Sequence, residues 1–193
     1  IPVGLPGFKE NEINKYNPEA ARSYVDSFKK KYKKSPSIKL TTSSNYLDLC
    51  EFIQKDLEKI GIEIIIDVIP ASALKQAKAN GKLDFFRASW IADYPDAENY
   101  LSLFYSKNFT PNGPNYTHFS DYEYDLIYES SLEETDPEKS KLLYSKMDSI
   151  VTSKSVIVPL FYDEVVRFVS KNVIGMEINV TNLLDLRKVR KVN

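Results

Sequence analysis

The order of strand, helix and strand between residues 37 and 69 constrains the fold of this chain most strongly. Residues 37–42 alternate apolar and polar side chains, which is the pattern of a half-buried strand. An amphipathic helix is predicted over residues 45–60, with Gly61 as its C-cap, and residues 62–69 form a second apolar run. Two strands joined through one helix run parallel and need helices to cover their sheet. The sequence therefore predicts an α/β fold.

Further elements are predicted along the rest of the chain. Asn17-Pro18 indicates a helix start, since Asn caps a helix and Pro suits its first position, and that helix should run to about Lys34. Other helices are expected over residues 71–79 and after Asp121 and Asp136. Apolar runs predict strands over residues 84–91, 156–161 and 165–169, and the tail 183–192 alternates apolar with charged residues.

Composition narrows the class of protein. A chain of 193 residues can bury one sizeable core, so a single domain is the expectation. A formal net charge of −1 gives no overall field that would attract nucleic acid or an anionic membrane. The one cysteine, Cys50, lies on the apolar face of its predicted helix, which favours a buried core thiol over a nucleophile. No run approaches the length of a membrane span.

A candidate binding segment follows the predicted strand at residues 84–91. Asp93 stands beside the only tryptophan, Trp90, and Pro95 restricts Tyr94 to extended backbone. Asp93 is therefore expected where strand gives way to loop, which is where α/β sheets bind ligands. The neighbouring aromatic side chains, which are those of Trp90, Tyr94, Tyr100 and Tyr105, suit either pocket walls or core.

Several chemistries find little support in the residues. The only histidine is His118, and no Gly-x-Ser-x-Gly motif accompanies it, so a hydrolytic triad is not expected. One His and one Cys cannot assemble a structural zinc site, and the acids near Asp93 lack the spacing of a calcium loop. No metal and no cofactor are expected. Paired carboxylates, Asp93 with Asp96 or Glu98, keep an acidic-pair hydrolase open as an alternative.

Four segments together resemble the family 5 extracellular solute-binding proteins, the peptide-binding proteins of ATP-binding-cassette importers. They are Trp90-x-Ala92-Asp93-Tyr94 and residues 16–21, 119–126 and 156–162, in the family's order. The resemblance covers nearly the whole chain and implies a periplasmic-binding-protein-like lobe, a mixed sheet with helices packed on its faces. Members have two lobes and more than twice this length. Residues 1–193 therefore resemble the C-terminal lobe, with 183–193 as a strand returning to a missing N-terminal lobe.

The resemblance also implies a function without catalysis, in which two lobes enclose an oligopeptide and deliver it to a membrane permease. Asp93 matches the carboxylate that holds the peptide's α-ammonium, and Trp90, Ala92 and Tyr94 surround it. Arg87 matches a position that meets the ligand carboxylate in some members, although pairing with a surface acid is an equal alternative. Period-two alternation would place Arg87 on the cleft face with Ser89 and Ile91.

The resemblance places such a protein in the periplasm or at the cell surface, exported and with a lipid anchor as one form of attachment. No nucleic-acid partner is expected. Relatives on the same fold bind nickel, haem or sugars, so the solute stays open within the family. A further alternative is the ligand-sensing lobe of a cytoplasmic transcription regulator.

Overall fold

The predicted strand, helix and strand are present. In the computed structural model, which describes residues 1–10, 15–178 and 184–192, β1 (Ser37–Thr42) pairs in parallel with β2 (Glu63–Val68). Ser37 lies opposite Glu63 and Thr42 opposite Val68. A single 3-10 turn and α2 (Leu47–Glu58) connect the two strands. The C-cap of α2 is Lys59 rather than the predicted Gly61, which takes a positive φ of 87° two residues later. The local pattern of the sequence thus determines this unit correctly.

The chain divides into two compact units. The sheet unit comprises residues 10–89 and 103–122, and the helical unit comprises residues 1–9, 90–102 and 123–193. Among the residues that the structure describes, no helix is long and apolar enough to cross a membrane.

The core of the sheet unit lies between its strand pair and α2. Leu40, Cys50 and Ile64 are buried together, and partly buried apolar side chains pack against them, namely Ile38, Leu57, Ile62 and Ile66. The Cys50 side chain is fully buried, which confirms its prediction as a core thiol. Two further helices, α1 (Pro18–Tyr32) and α3 (Ala71–Ala79), belong to this unit. The Asn17 side chain accepts a hydrogen bond from the Ala20 amide at 2.9 Å, as its predicted capping role requires.

The strand predicted over residues 84–91 is wrong in extent. Only Phe86 bridges to β1, opposite Thr41, with hydrogen bonds from the Thr41 amide to the Phe85 carbonyl and from the Arg87 amide to the Thr41 carbonyl. The physical reason is the length of β1. Because β1 ends at Thr42, the residues after Arg87 pass beyond the strand that they would pair with.

The loop after residue 104 is organised around one buried amide. Asn115 is fully buried, and its side-chain NH2 donates to the carbonyls of Tyr105 and Phe119, both at 3.0 Å. Its side-chain oxygen accepts from the Thr117 hydroxyl at 2.9 Å. One side chain therefore joins the two ends of this loop, and its own buried polar atoms all have partners.

The helical unit is built from α4 (Glu98–Leu101), α5 (Tyr122–Glu133) and α6 (Pro137–Ser153). Its buried apolar and aromatic side chains are those of Ala97, Leu101, Tyr124, Tyr128, Tyr144, Met147 and Val151. The Tyr124 hydroxyl donates to the Leu101 carbonyl at 2.6 Å, which ties α5 to the end of α4. Helices after Asp121 and Asp136 are confirmed.

The predicted strands over residues 156–161 and 165–169 do not form. Their side chains are largely exposed, with Val166 at 74% and Phe168 at 97%, so these runs have no sheet to join among the described residues. In the tail, β4 (Arg190–Lys191) pairs antiparallel with β3 (Val173–Ile174). Residues 183 and 193 of the predicted return strand lie outside the described residues.

Asp136→Ala is expected to destabilise the chain by about 1 kcal/mol, because the helix would lose its N-cap. The Asp136 side chain accepts hydrogen bonds from the amides of Glu138 at 2.9 Å and Lys139 at 3.5 Å. Urea unfolding of the two proteins measures the difference. Thr135→Ala, at the exposed neighbouring position, is the control and should change the free energy of unfolding little. Equal losses for both variants would contradict the capping role.

Candidate functional site

Asp93 lies on an open segment of the helical unit. Its carboxylate is exposed and makes no hydrogen bond or ion pair with any residue in the described part of the chain. The flanking side chains of Ile91 and Tyr94 are exposed to 79% and 46%. An acid that has no protein partner and stands between apolar and aromatic groups is suited to bind a cationic ligand.

Trp90, at the start of the segment, is fixed by a residue of α4. Its indole Nε1 donates to the side-chain oxygen of Asn99 at 2.7 Å. Asn99 itself is only 5% exposed, and Trp90 is half-buried. The hydrogen bond sets the orientation of the ring, so that Trp90 serves as a rigid aromatic group beside Asp93.

Tyr94, at the other end, is fixed by Glu98. One oxygen of the Glu98 carboxylate accepts a hydrogen bond from the Tyr94 hydroxyl, and the other accepts from the Tyr128 hydroxyl on α5. The hydrogen bond to Glu98 is the main cause that raises the pKa of Tyr94, and partial burial adds to it. Glu98 therefore joins the exposed segment to a buried tyrosine of the helical core.

The two nearest other acids in sequence, Asp96 and Glu98, already accept hydrogen bonds within the helical unit. The Asp96 carboxylate accepts a hydrogen bond from the Glu98 amide at 2.8 Å and also lies beside the hydroxyl of Tyr144. Both carboxylates therefore accept hydrogen bonds from groups of the helical unit. Within the described ranges, no group of three or more His, Cys, Asp or Glu side chains could hold a metal ion.

Arg87 belongs to the sheet unit. Its guanidinium stacks on the Tyr46 ring, 3.4 Å from the ring centroid, and donates to the Ser89 hydroxyl at 3.2 Å. This hydrogen bond joins Arg87 to Ser89, but residues 87–91 form no strand, so the placement of Arg87 on the cleft face stays a prediction. No carboxylate of the described residues forms an ion pair with Arg87, so the alternative of a surface ion pair finds no support.

The structure also shows contacts that sequence reasoning missed. Trp90 and Asn99 are nine positions apart, and no local period indicates that they bond. The sequence predicts Glu98 only as half of a catalytic pair, and no pattern indicates its bond to Tyr128, thirty positions away. Of the proposed aromatic walls, Tyr105 is instead buried, at 9% exposure, in the core of the sheet unit, and Tyr100 is half-buried.

Two tyrosines of the helical unit make stability sensitive to alkaline pH. Burial raises the pKa of Tyr124 and of Tyr144, and the charge of Asp96 raises the pKa of Tyr144 further. Since the folded state holds these protons more tightly, their contribution is complete below the ordinary tyrosine pKa of about 10 and is lost above it. We expect the exposed tyrosines to titrate smoothly at about pH 10, and Tyr124 and Tyr144 to ionise only at higher pH, in a separate cooperative step as the chain unfolds. Smooth titration of every tyrosine in a folded chain would contradict this, and Tyr122→Phe, at an exposed position, should leave the step unchanged.

Comparison with known proteins finds one family. The model of the bacterial extracellular solute-binding proteins, family 5 Middle, matches residues 1–112. A dipeptide-binding protein of Pseudomonas aeruginosa is 30% identical over 132 residues, which are 68% of this chain and 24% of that protein. The chain therefore spans about a quarter of the length of this curated relative.

Solved structures of low sequence identity share the fold. The periplasmic binding protein DppA from Helicobacter pylori, in complex with the peptide STSA, is 22% identical and superposes with a TM-score of 0.78. The OppA complex of Haemophilus influenzae with the peptide RPPGFSPFR is 18% identical and has a TM-score of 0.80. Both align with 100% of this chain, which covers 38% and 39% of theirs. The predicted fold class, an α/β lobe of the periplasmic-binding-protein type, is thereby confirmed.

Proposed function

The chain belongs to the bacterial extracellular solute-binding proteins of family 5, and on that premise we propose that residues 1–193 are the C-terminal ligand-binding lobe of a peptide-capturing protein. In this proposal a second lobe, outside these residues, closes on the ligand, and the loaded protein delivers it to the permease of an ATP-binding-cassette importer. The role is binding and transport, without catalysis. Residues 183–193 would contribute a strand to the second lobe.

The observation that carries the proposal is the exposed, unpartnered carboxylate of Asp93 on a segment fixed at both ends. An α-ammonium that is enclosed between lobes loses its water and needs a fixed negative acceptor. Asp93 offers such an acceptor, and the motif Trp90-x-Ala92-Asp93 resembles the family's motif at this position. The hydrogen bonds of Trp90 and Tyr94 hold the acceptor's surroundings rigid.

The names of the similar proteins support peptide as the solute of this chain. The relative from Pseudomonas aeruginosa is named a dipeptide-binding protein, and both compared structures contain peptides. A nickel, haem or sugar binder would not need a free carboxylate for an amine. Arg87, which has no acidic partner in the described part of the chain and is supported by the Tyr46 ring, is proposed to meet the ligand carboxylate.

The setting of the protein follows from its family, whose members are extracellular. We propose export to the periplasm or the cell surface, and a lipid anchor is one means of retention there. The partners are an oligopeptide ligand, the membrane permease and the N-terminal lobe of the same protein.

Calorimetric titration of the full-length protein tests the proposal. We expect a mixture of short peptides to bind with micromolar or lower Kd, about 8 kcal/mol or more, and to be recovered uncleaved. Nickel, haem and a sugar are titrated in parallel. Binding of one of these without peptide would keep the family and overturn the peptide assignment, whereas cleavage of the peptides would favour the acidic-pair hydrolase.

A further inference from the structure

We propose that Glu98 and Asn99, the first and second residues of α4, are positioning residues that hold the Asp93 carboxylate in its binding orientation through Trp90 and Tyr94. We call this pair the α4 clamp. The inference rests on the proposed function, because it concerns how the same site is kept in shape. Neither residue of the clamp is required to touch the ligand.

The α4 clamp binds residues on both sides of Asp93 in the sequence. The Asn99 oxygen accepts from the Trp90 indole at 2.7 Å, three residues before Asp93. The Glu98 carboxylate accepts from the hydroxyl of Tyr94, one residue after Asp93. Two consecutive residues of α4 therefore bind both aromatic side chains that bracket the proposed ammonium acceptor.

The conformation of residues 90–95 depends on side-chain hydrogen bonds. Beyond Arg87 the chain leaves the strand pair, and the described backbone hydrogen bonds of residues 90–95 comprise a single one, from the Asp96 amide to the Tyr94 carbonyl at 2.9 Å. A strand would fix Asp93 by its ladder of backbone bonds. In this chain the α4 clamp fixes Asp93 in place of a backbone ladder. A binding side chain must be held within a fraction of an ångström for the protein to keep its affinity for the ligand.

The clamp is itself anchored in the core of the helical unit. Glu98 accepts a second hydrogen bond from Tyr128, which is 5% exposed, and its backbone amide donates to Asp96 at 2.8 Å. Asn99 is 5% exposed, so it cannot exchange its partners for water. Burial and a double set of partners make these two residues a rigid base for an exposed segment.

The test uses Glu98→Gln in the full-length protein, with one peptide in free and N-acetylated forms. Glutamine keeps the size of the side chain but loses the charge that both tyrosine hydroxyls bind. If Glu98 acts through Asp93, affinity for the free peptide falls about tenfold, in line with coupling between neighbouring groups, while the acetylated peptide changes less than about twofold. Glu123→Gln, an exposed acid at the start of α5, is the matched control and should alter neither.

A double mutant separates positioning from a general loss of structure. In an Asp93→Ala background, Glu98→Gln should have almost no further effect on the free peptide, since the group that it positions is gone. Equal losses for both peptide forms, or additive losses in the double mutant, would overturn the inference. Tyr94→Phe, which removes only the hydroxyl, repeats the test if Glu98→Gln does not fold. Failure of the wild type to bind any peptide would instead overturn the proposed function.

Discussion

Asp93→Ala in the full-length protein is expected to weaken the binding of a peptide with a free amino terminus by several hundredfold or more. Removing one partner of an enclosed charge pair typically costs about 3–5 kcal/mol, because the remaining ammonium stays dehydrated without a counter-charge. Asp93 has no bond to a described residue, so the fold itself should lose little when its carboxylate is removed.

Calorimetry with free and N-acetylated forms of one peptide measures this effect. The acetylated form carries no ammonium, and its affinity should be nearly the same for wild type and variant. Asp84→Ala, at another exposed acid, serves as the control and should change either affinity by less than about 1 kcal/mol. Equal loss for both peptide forms would mean that Asp93 supports the fold rather than the ligand amine.

Asn115→Ala should have the largest effect on stability, a loss of about 2–4 kcal/mol in the free energy of unfolding. The substitution removes a fully buried side chain and leaves the Tyr105 and Phe119 carbonyls without their 3.0 Å donors. Water cannot easily replace these two donors in a buried loop. The Asn108 amide still donates to the Tyr105 carbonyl, so the expected cost is that of two lost hydrogen bonds and of a removed buried side chain.

Urea unfolding followed by circular dichroism provides the measurement. Asn112→Ala is the matched control, because Asn112 is an exposed amide of the same loop. A midpoint shift of similar size for both variants would show that the loop tolerates the loss of any amide and that Asn115 has no special role.

The sequence predicted those features that depend on neighbouring residues. Ser37–Thr42 and Ala71–Ala79 have the predicted bounds, and Asn17 and Asp136 cap their helices, since alternation, helical periodicity and capping are all local. The strand over residues 84–91 failed because a strand also needs a partner of sufficient length, and β1 ends at Thr42. Local pattern carries no information about where a distant strand stops.

In the candidate site, too, features that depend on neighbouring residues were predictable and features that depend on distant residues were not. Asp93 is proposed from the motif around it and from Pro95. It is exposed, but no strand precedes it, because pairing with β1 ends six residues earlier, at Arg87. The bonds that fix its neighbours could not be predicted, because Trp90 meets Asn99, and Tyr128 meets Glu98, only after the chain has folded. Intervals of nine and thirty residues match no helical or strand period.

Trp90, with its hydrogen bond to Asn99, is also an intrinsic fluorescent probe of the candidate site. Trp90 is the single indole among 193 residues, and it stands three positions from Asp93. Indole emission shifts to longer wavelengths when the ring gains contact with water and to shorter wavelengths when it is enclosed. A ligand that covers the ring should therefore shift the emission to the blue, and loosening of the bond to Asn99 should shift it to the red. Occupancy and the rigidity of the segment can thus be distinguished by the sign of one unlabelled spectroscopic signal.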